Sequence, residues 1–218
     1  LQIKRLLVQP ALLVYPTSMS RAEIEKHLLE FPIYLYLKSL QEKPVRNPFQ
    51  TGYHTRKHVL YIEYNQRVRS IESQLLSDGV RIFTPWHRPI DSYRVQRFAY
   101  EYLVQFLYRE AETLLYPYVL KCAKTVGLSF NKMKITAPSL KWGSCSSQRI
   151  LIFSVFAMLL PNELLRYLVY HELTHLTHLN HSAAFWELLS EYLDEDARLL
   201  DKKLQEYTLN SLPIPELF

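Results

Sequence analysis

From Pro161 to Leu176 the apolar residues Leu164, Leu165, Leu168, Val169, Leu173 and Leu176 recur at the spacing of one helix face. That period commits the stretch to a helix with one buried side. Pro161 stands where a first helical residue often stands, since its missing N–H leaves nothing unpaired there. The same stretch reads His171-Glu172-Leu173-Thr174-His175. Side chains four apart leave a helix from one face, about 6 Å apart along the axis, so two imidazoles can converge on one ion. Glu172 lies about 100° further round, where it can reach a water at that ion without being a ligand. Zinc lowers the pKa of a bound water, and a carboxylate so placed accepts its proton.

A catalytic zinc ion needs a third protein ligand and an open position. His178 shares the helix face, but on a straight helix it lies about 10.5 Å from His171. Ligands about 2.0–2.1 Å from one ion cannot be that far apart. His181 can reach the ion if the chain turns back. Asn180 tolerates the left-handed conformation that ends a helix, and Ser182 can cap the next one. The five residues between His175 and His181 match the spacing of the extended three-histidine zinc motif. His181 is therefore preferred, with Glu191 or Glu195 on the following helix as the alternative ligand.

The rest of the chain alternates strand and helix signals without repeats. Ile3–Tyr15 reads as a strand weakened at Pro10, and Thr17 or Ser20 caps a helix towards Leu40 that Pro32 kinks. Residues 42–52 read as a connector. Strands are expected at His58–Tyr64, Ile71–Leu76 and Val80–Thr84, the last two as a hairpin around Ser77-Asp78-Gly79. A helix starts at Asp91 or Ser92, runs through Phe98, Tyr102, Phe106, Leu114 and Leu115, is interrupted at Pro117 and ends near Gly127. A strand near Lys134–Ala137, the apolar run from Ile150 and a final helix over about 183–206 complete the reading.

Two cysteines in 218 residues, Cys122 and Cys145, provide no disulfide framework and suit a reducing compartment. Lys4 and Arg5 precede an apolar stretch, but Gln9 and Pro10 interrupt it and no small-residue cleavage site follows, so a strand is preferred to a signal peptide. The apolar run Ile150–Leu160 is too short to span a bilayer. These features predict a cytoplasmic protein with no membrane partner. Residues 1–149 carry 22 Lys/Arg against 11 Asp/Glu, a net of +11, whereas residues 150–218 carry 4 against 10, a net of −6. The basic part admits nucleic acid as a weakly supported partner, because no dense Lys/Arg run is present.

Three segments resemble the YgjP-like metallopeptidases, zincins related in motif style to SprT-type and WLM peptidases. They are Trp142-Gly143-Ser144-Cys145-Ser146, the Pro161-initiated helix ending in His-Glu-Leu-Thr-His, and Asn180-His181-Ser182 followed by Phe185-Trp186. Together they span about the last 80 residues. The resemblance implies one zinc ion on His171, His175 and His181, with Glu172 catalytic and a peptide or protein as substrate. Val14-Tyr15-Pro16 is similar to the end of the family's opening β-hairpin, which would place the start of this chain inside that hairpin. Thr174 stands where the family often has cysteine, and Ser154 and Phe156 where asparagine and arginine are common. By analogy with zincins, Ile150–Phe153 or its neighbouring strand would lie beside an extended substrate.

The expected fold is therefore α+β and zincin-like. It has a β-rich portion over 1–90, read as truncated at its start, and a helical catalytic portion over 91–218, the two read as one continuous domain. His178 and Tyr192 are candidates for a transition-state or substrate contact. Cys145 is read as a structural cysteine in preference to a nucleophile or fourth ligand, and Phe185 and Trp186 as core. Two other readings remain: a nucleic-acid-associated module acting on bound proteins, and a catalytically idle zinc-binding fold.

Overall fold

A computed structural model describes residues 3–8, 11–16, 20, 48–136 and 141–207. The chain is mixed α/β and divides into two compact units. Among the described residues, those up to Tyr53 with Leu60–Tyr100 form one, and His54–Val59 with those from Glu101 onwards form the other.

The opening apolar run is two strands, β1 (Ile3–Val8) and β2 (Ala11–Pro16), paired antiparallel from Ile3↔Pro16 to Val8↔Ala11. The single strand weakened at Pro10 is thus corrected: Gln9 and Pro10 separate two strands, and both arms of a hairpin lie within the chain. The helix expected towards Leu40 falls outside the described residues, as do residues 42–47 of the connector.

A four-stranded sheet has the order β3-β4-β6-β5, with β3 at Tyr53–His54, β4 at Val59–Tyr64, β5 at Glu72–Leu76 and β6 at Gly79–Thr84. Leu60, Ile62, Val80 and Ile82 are fully buried, the alternation of a sheet with one wet face. β5 and β6 form the expected hairpin, closing at Leu76↔Gly79. The connector ends on an anchor: Phe49 is buried, its N–H donates to Gln96 Oε1 at 2.6 Å, and its carbonyl accepts from Gln96 Nε2 at 3.2 Å.

Helix α1 spans Tyr93–Glu110 and α2 Tyr116–Thr125, joined without a break by a wider π-helical turn at Ala111–Leu115. Pro117 lacks the N–H that would bond four residues back, and the turn before it loosens where that donor is missing. The expected interruption is therefore a change of helical pitch. The buried stripe of α1 is Val95, Ala99, Leu103, Phe106 and Leu107, with Phe98 and Tyr102 only half-buried beside it. Gly127, at φ +70°, closes α2: Leu128 N–H reaches Ala123 O at 2.9 Å and Gly127 N–H reaches Lys124 O at 3.3 Å.

A second sheet, of order β7-β9-β8, holds β7 (Lys132–Thr136) parallel and β8 (Gly143–Cys145) antiparallel to the central β9 (Ile150–Ser154). The apolar run from Ile150 is this central strand followed by a 3-10 turn at Val155–Leu159. Ser154 caps that turn, its Oγ accepting from Phe156 N–H at 3.3 Å. Helices α3 (Asn162–Thr174), α4 (Ala183–Leu193) and α5 (Ala197–Glu206) follow.

Candidate metal centre

Helix α3 buries Leu164, Leu165, Leu168, Val169 and Leu173, the face its period requires. Pro161 sits one position earlier than expected, as the cap, with its carbonyl accepting from Leu165 N–H at 2.9 Å. The helix closes at His175, so Leu176 follows it in a turn and is only half-buried. Thr174 is fully buried, and its hydroxyl donates to Tyr170 O at 2.7 Å. A buried polar side chain at that point is thus satisfied within its own helix.

The chain then reverses and re-enters helix at Ser182, whose Oγ accepts from Phe185 N–H at 3.4 Å. Asn180 does not take the left-handed conformation expected of it: among the described non-glycine residues only Arg149 and Asp194 have positive φ. The final helix is also two helices. Asp194, at φ 56°, ends α4, and Asp196 begins α5 by accepting from Arg198 N–H at 2.9 Å.

This reversal brings His181 to the two helical histidines. One ligand nitrogen from each of His171, His175 and His181 lies within 4.8 Å of the others. Nε2 of His171 is 3.2 Å from Nε2 of His175 and 3.1 Å from that of His181. Their other nitrogens fix the tautomers of the two helical rings. His175 Nδ1 lies 2.9 Å from His178 O, which can only accept, so Nδ1 carries the proton. Tyr167 Oη donates to Asp201 Oδ1 at 2.8 Å, so it accepts from His171 Nδ1, 3.0 Å away. Both Nε2 atoms therefore present lone pairs to each other, which repel unless a cation lies between them. Tetrahedral zinc ligands sit roughly 3.3 Å apart, close to the observed spacing. Burial, then the neighbouring His175 and His181, push His171 down to about 3, and burial also lowers His175. Both stay neutral near pH 7, the form that binds metal.

Glu172, the residue after His171 on α3, is buried, and its Oε2 has no hydrogen-bond partner. Burial pushes its carboxyl up to about 8. A buried, unpaired carboxylate oxygen is costly unless something it can bind enters the site. The three nitrogens and the orphaned oxygen together fit a cation with a water beside it. Phe185, fully buried, sets its ring 4.7 Å from those of His175 and His181 and 5.1 Å from that of His171. Trp186 stacks on His181 at 5.8 Å, with Arg198 4.7 Å from its centroid. Of the two aromatics expected as core, Phe185 is buried and Trp186 only half-buried, and both lie against the imidazoles.

The imidazole of His178 is outside the converging set, and it is the backbone carbonyl that serves the site. Tyr192 lies against Tyr170, ring centres 6.2 Å apart. Glu195 accepts from Arg166 Nη1 at 2.7 Å, and Glu191 is exposed. Cys145 is half-buried. Burial first, and the Glu172 charge second, push its thiol up to about 11, so it stays protonated and poorly nucleophilic. Tyr167 and Asp201 are the site residues that the sequence did not single out, and Gly143 stood in a motif that did not reveal its contact to Glu172. Tyr167 had a signal, since it stands four before His171 on the same face.

Three imidazoles meeting at one point, with a buried carboxylate from the helix that carries His171, have the make-up of a metalloenzyme centre. The chain belongs to the YgjP-like metallopeptidase domain family, whose description matches residues 6–207. No curated protein and no solved structure matches it. Among the described residues, no helix is long and apolar enough to cross a membrane.

Proposed function

We propose that this protein is a zinc-dependent metallopeptidase, with a zincin-like α+β fold, in which His171, His175 and His181 hold one Zn2+ and Glu172 is the general base. The observation that carries the reading is the convergence of the His171, His175 and His181 ligand nitrogens within 4.8 Å of one another, with the buried Glu172 and its unpartnered Oε2 next after His171 in the chain. Zinc, when bound, supplies the Lewis acid that acidifies water and polarises a carbonyl. Glu172 takes a proton from the attacking water and returns it to the departing amine as the C–N bond breaks. His181 is exposed, so the cluster is open on that side to a peptide or protein substrate.

The family match running from residue 6 to 207 supports treating residues 1–90 and 91–218 as portions of one domain. The unpaired Cys122 and Cys145 suit the cytoplasm. Glu172→Gln separates catalysis from metal binding. The variant should retain one zinc per chain and lose cleavage of an unfolded protein substrate by at least about a hundredfold. Full cleavage by that variant would rule the mechanism out.

A further inference from the structure

Tyr167 is fully buried one helical turn before His171, and its hydroxyl lies between the imidazole and the Asp201 carboxylate. Packing alone would be served as well by phenylalanine, so the hydroxyl calls for a separate reason. Its proton goes to Asp201, which accepts but cannot donate, and its lone pair receives His171 Nδ1–H. Gln205 Nε2 donates to the other oxygen of Asp201 at 2.5 Å, which fixes the carboxylate plane. Asp201 reaches this place only because the chain breaks between α4 and α5. Without the left-handed Asp194 and the cap at Asp196, a continuous helix would carry it away.

We infer that Tyr167 and Asp201 are positioning residues for the metal centre, a relay that fixes the tautomer and ring orientation of His171 so that its Nε2 lone pair faces the ion. The inference rests on the zinc reading above. Outer partners that orient a metal-binding histidine typically contribute 10–100-fold to metal affinity.

Long-range 1H–15N NMR on the full chain after chelation reads the His171 tautomer directly, and competition with a chromophoric chelator reads zinc affinity. The wild type should show Nδ1–H alone. Tyr167→Phe should show a mixed or Nε2–H tautomer and zinc binding weakened about 10–100-fold, still saturating at one ion. Asp201→Asn should move both readouts in the same direction by less. Its site is half-buried, so it keeps the test alive if Tyr167→Phe fails to fold. Unchanged tautomer and affinity in a folded variant overturn the relay. A wild type that binds no zinc, with the tautomer change still present in the variants, overturns the zinc reading and supports the relay.

Discussion

Gly143 lies directly against Glu172: a Cβ built on the glycine would fall 2.7 Å from Glu172 Oε1, 3.0 Å from its Cγ and 3.1 Å from its Cδ. The absent side chain is what leaves room for the carboxylate under β8. A methyl group there cannot be absorbed by the tip of the side chain alone, because three atoms of Glu172 are too close. Gly143→Ala is expected to displace the carboxylate while leaving the three imidazoles in place. Turnover should fall about 10–100-fold, as small misplacements of a catalytic group do, with zinc content unchanged. Parallel kinetics and metal analysis check this, and loss of zinc would show that the glycine supports the ligands instead.

Glu172 also predicts how the metal-free protein responds to pH. Its folded pKa of about 8 lies above the ordinary 4.5, through burial. Between those values the native chain keeps a proton that the unfolded chain has released, so stability falls as pH rises across that window. Below about pH 4 both states are protonated and the penalty vanishes. Glu172→Gln removes the titration, and chelated variant should exceed chelated wild type in stability at pH 8 by at most about 5 kcal/mol. Urea unfolding at pH 4, 6 and 8 reads the trend. A gap that stays constant with pH would show that Glu172 does not titrate across this range.

The sequence made legible what depends on local period. The α3 stripe, the β5–β6 hairpin and the Ser182 cap follow from neighbours a few residues away, and so does the shared face of His171 and His175. What it hid depends on where distant segments meet. Gly143 stood out as part of a motif, but its partner Glu172 comes from another element. Asp201 carried no local signal. Its position depends on the break at Asp194–Asp196, where the helical pattern on both sides reads as continuous. Pro117 misled in the other direction, because a π-helical turn can absorb a missing N–H without ending the helix.

The two histidines of the reversing turn should part company on substitution. His181 supplies a ring nitrogen to the cluster, whereas His178 supplies its backbone carbonyl to His175 Nδ1 at 2.9 Å. His181→Ala should weaken zinc binding severely, by roughly a hundredfold or more. His178→Ala keeps the carbonyl and should retain one zinc with affinity within about threefold of wild type. Metal analysis after dialysis against a weak chelator distinguishes them. Full zinc in His181→Ala with loss in Glu191→Ala or Glu195→Ala would move the third ligand to α4 or to the residues just after it.

Glu110, fully buried at the end of α1, holds the 55–58 turn by several bonds at once. It accepts from the Thr55 hydroxyl, from Arg56 N–H at 3.3 Å and from Lys57 N–H at 2.9 Å, and it pairs with His58 Nδ1 at 2.7 Å. The turn in turn aims Arg56 at the segment entering α3. Its Nε donates to Met158 O at 2.8 Å, and its Nη atoms to Asn162 Oδ1 and Leu160 O, both at 2.5 Å. Removing the carboxylate takes the shared acceptor from four part-buried donors at once, which costs more than one exposed ion pair. Glu110→Ala should lower stability by roughly 2–4 kcal/mol in urea unfolding. Because Arg56 braces the start of the helix that carries His171 and His175, zinc affinity should also fall, by a few-fold. An Arg56→Ala variant with the same loss of affinity but smaller loss of stability would trace that coupling through the guanidinium. Unchanged stability in Glu110→Ala would mean that water satisfies the turn in its place.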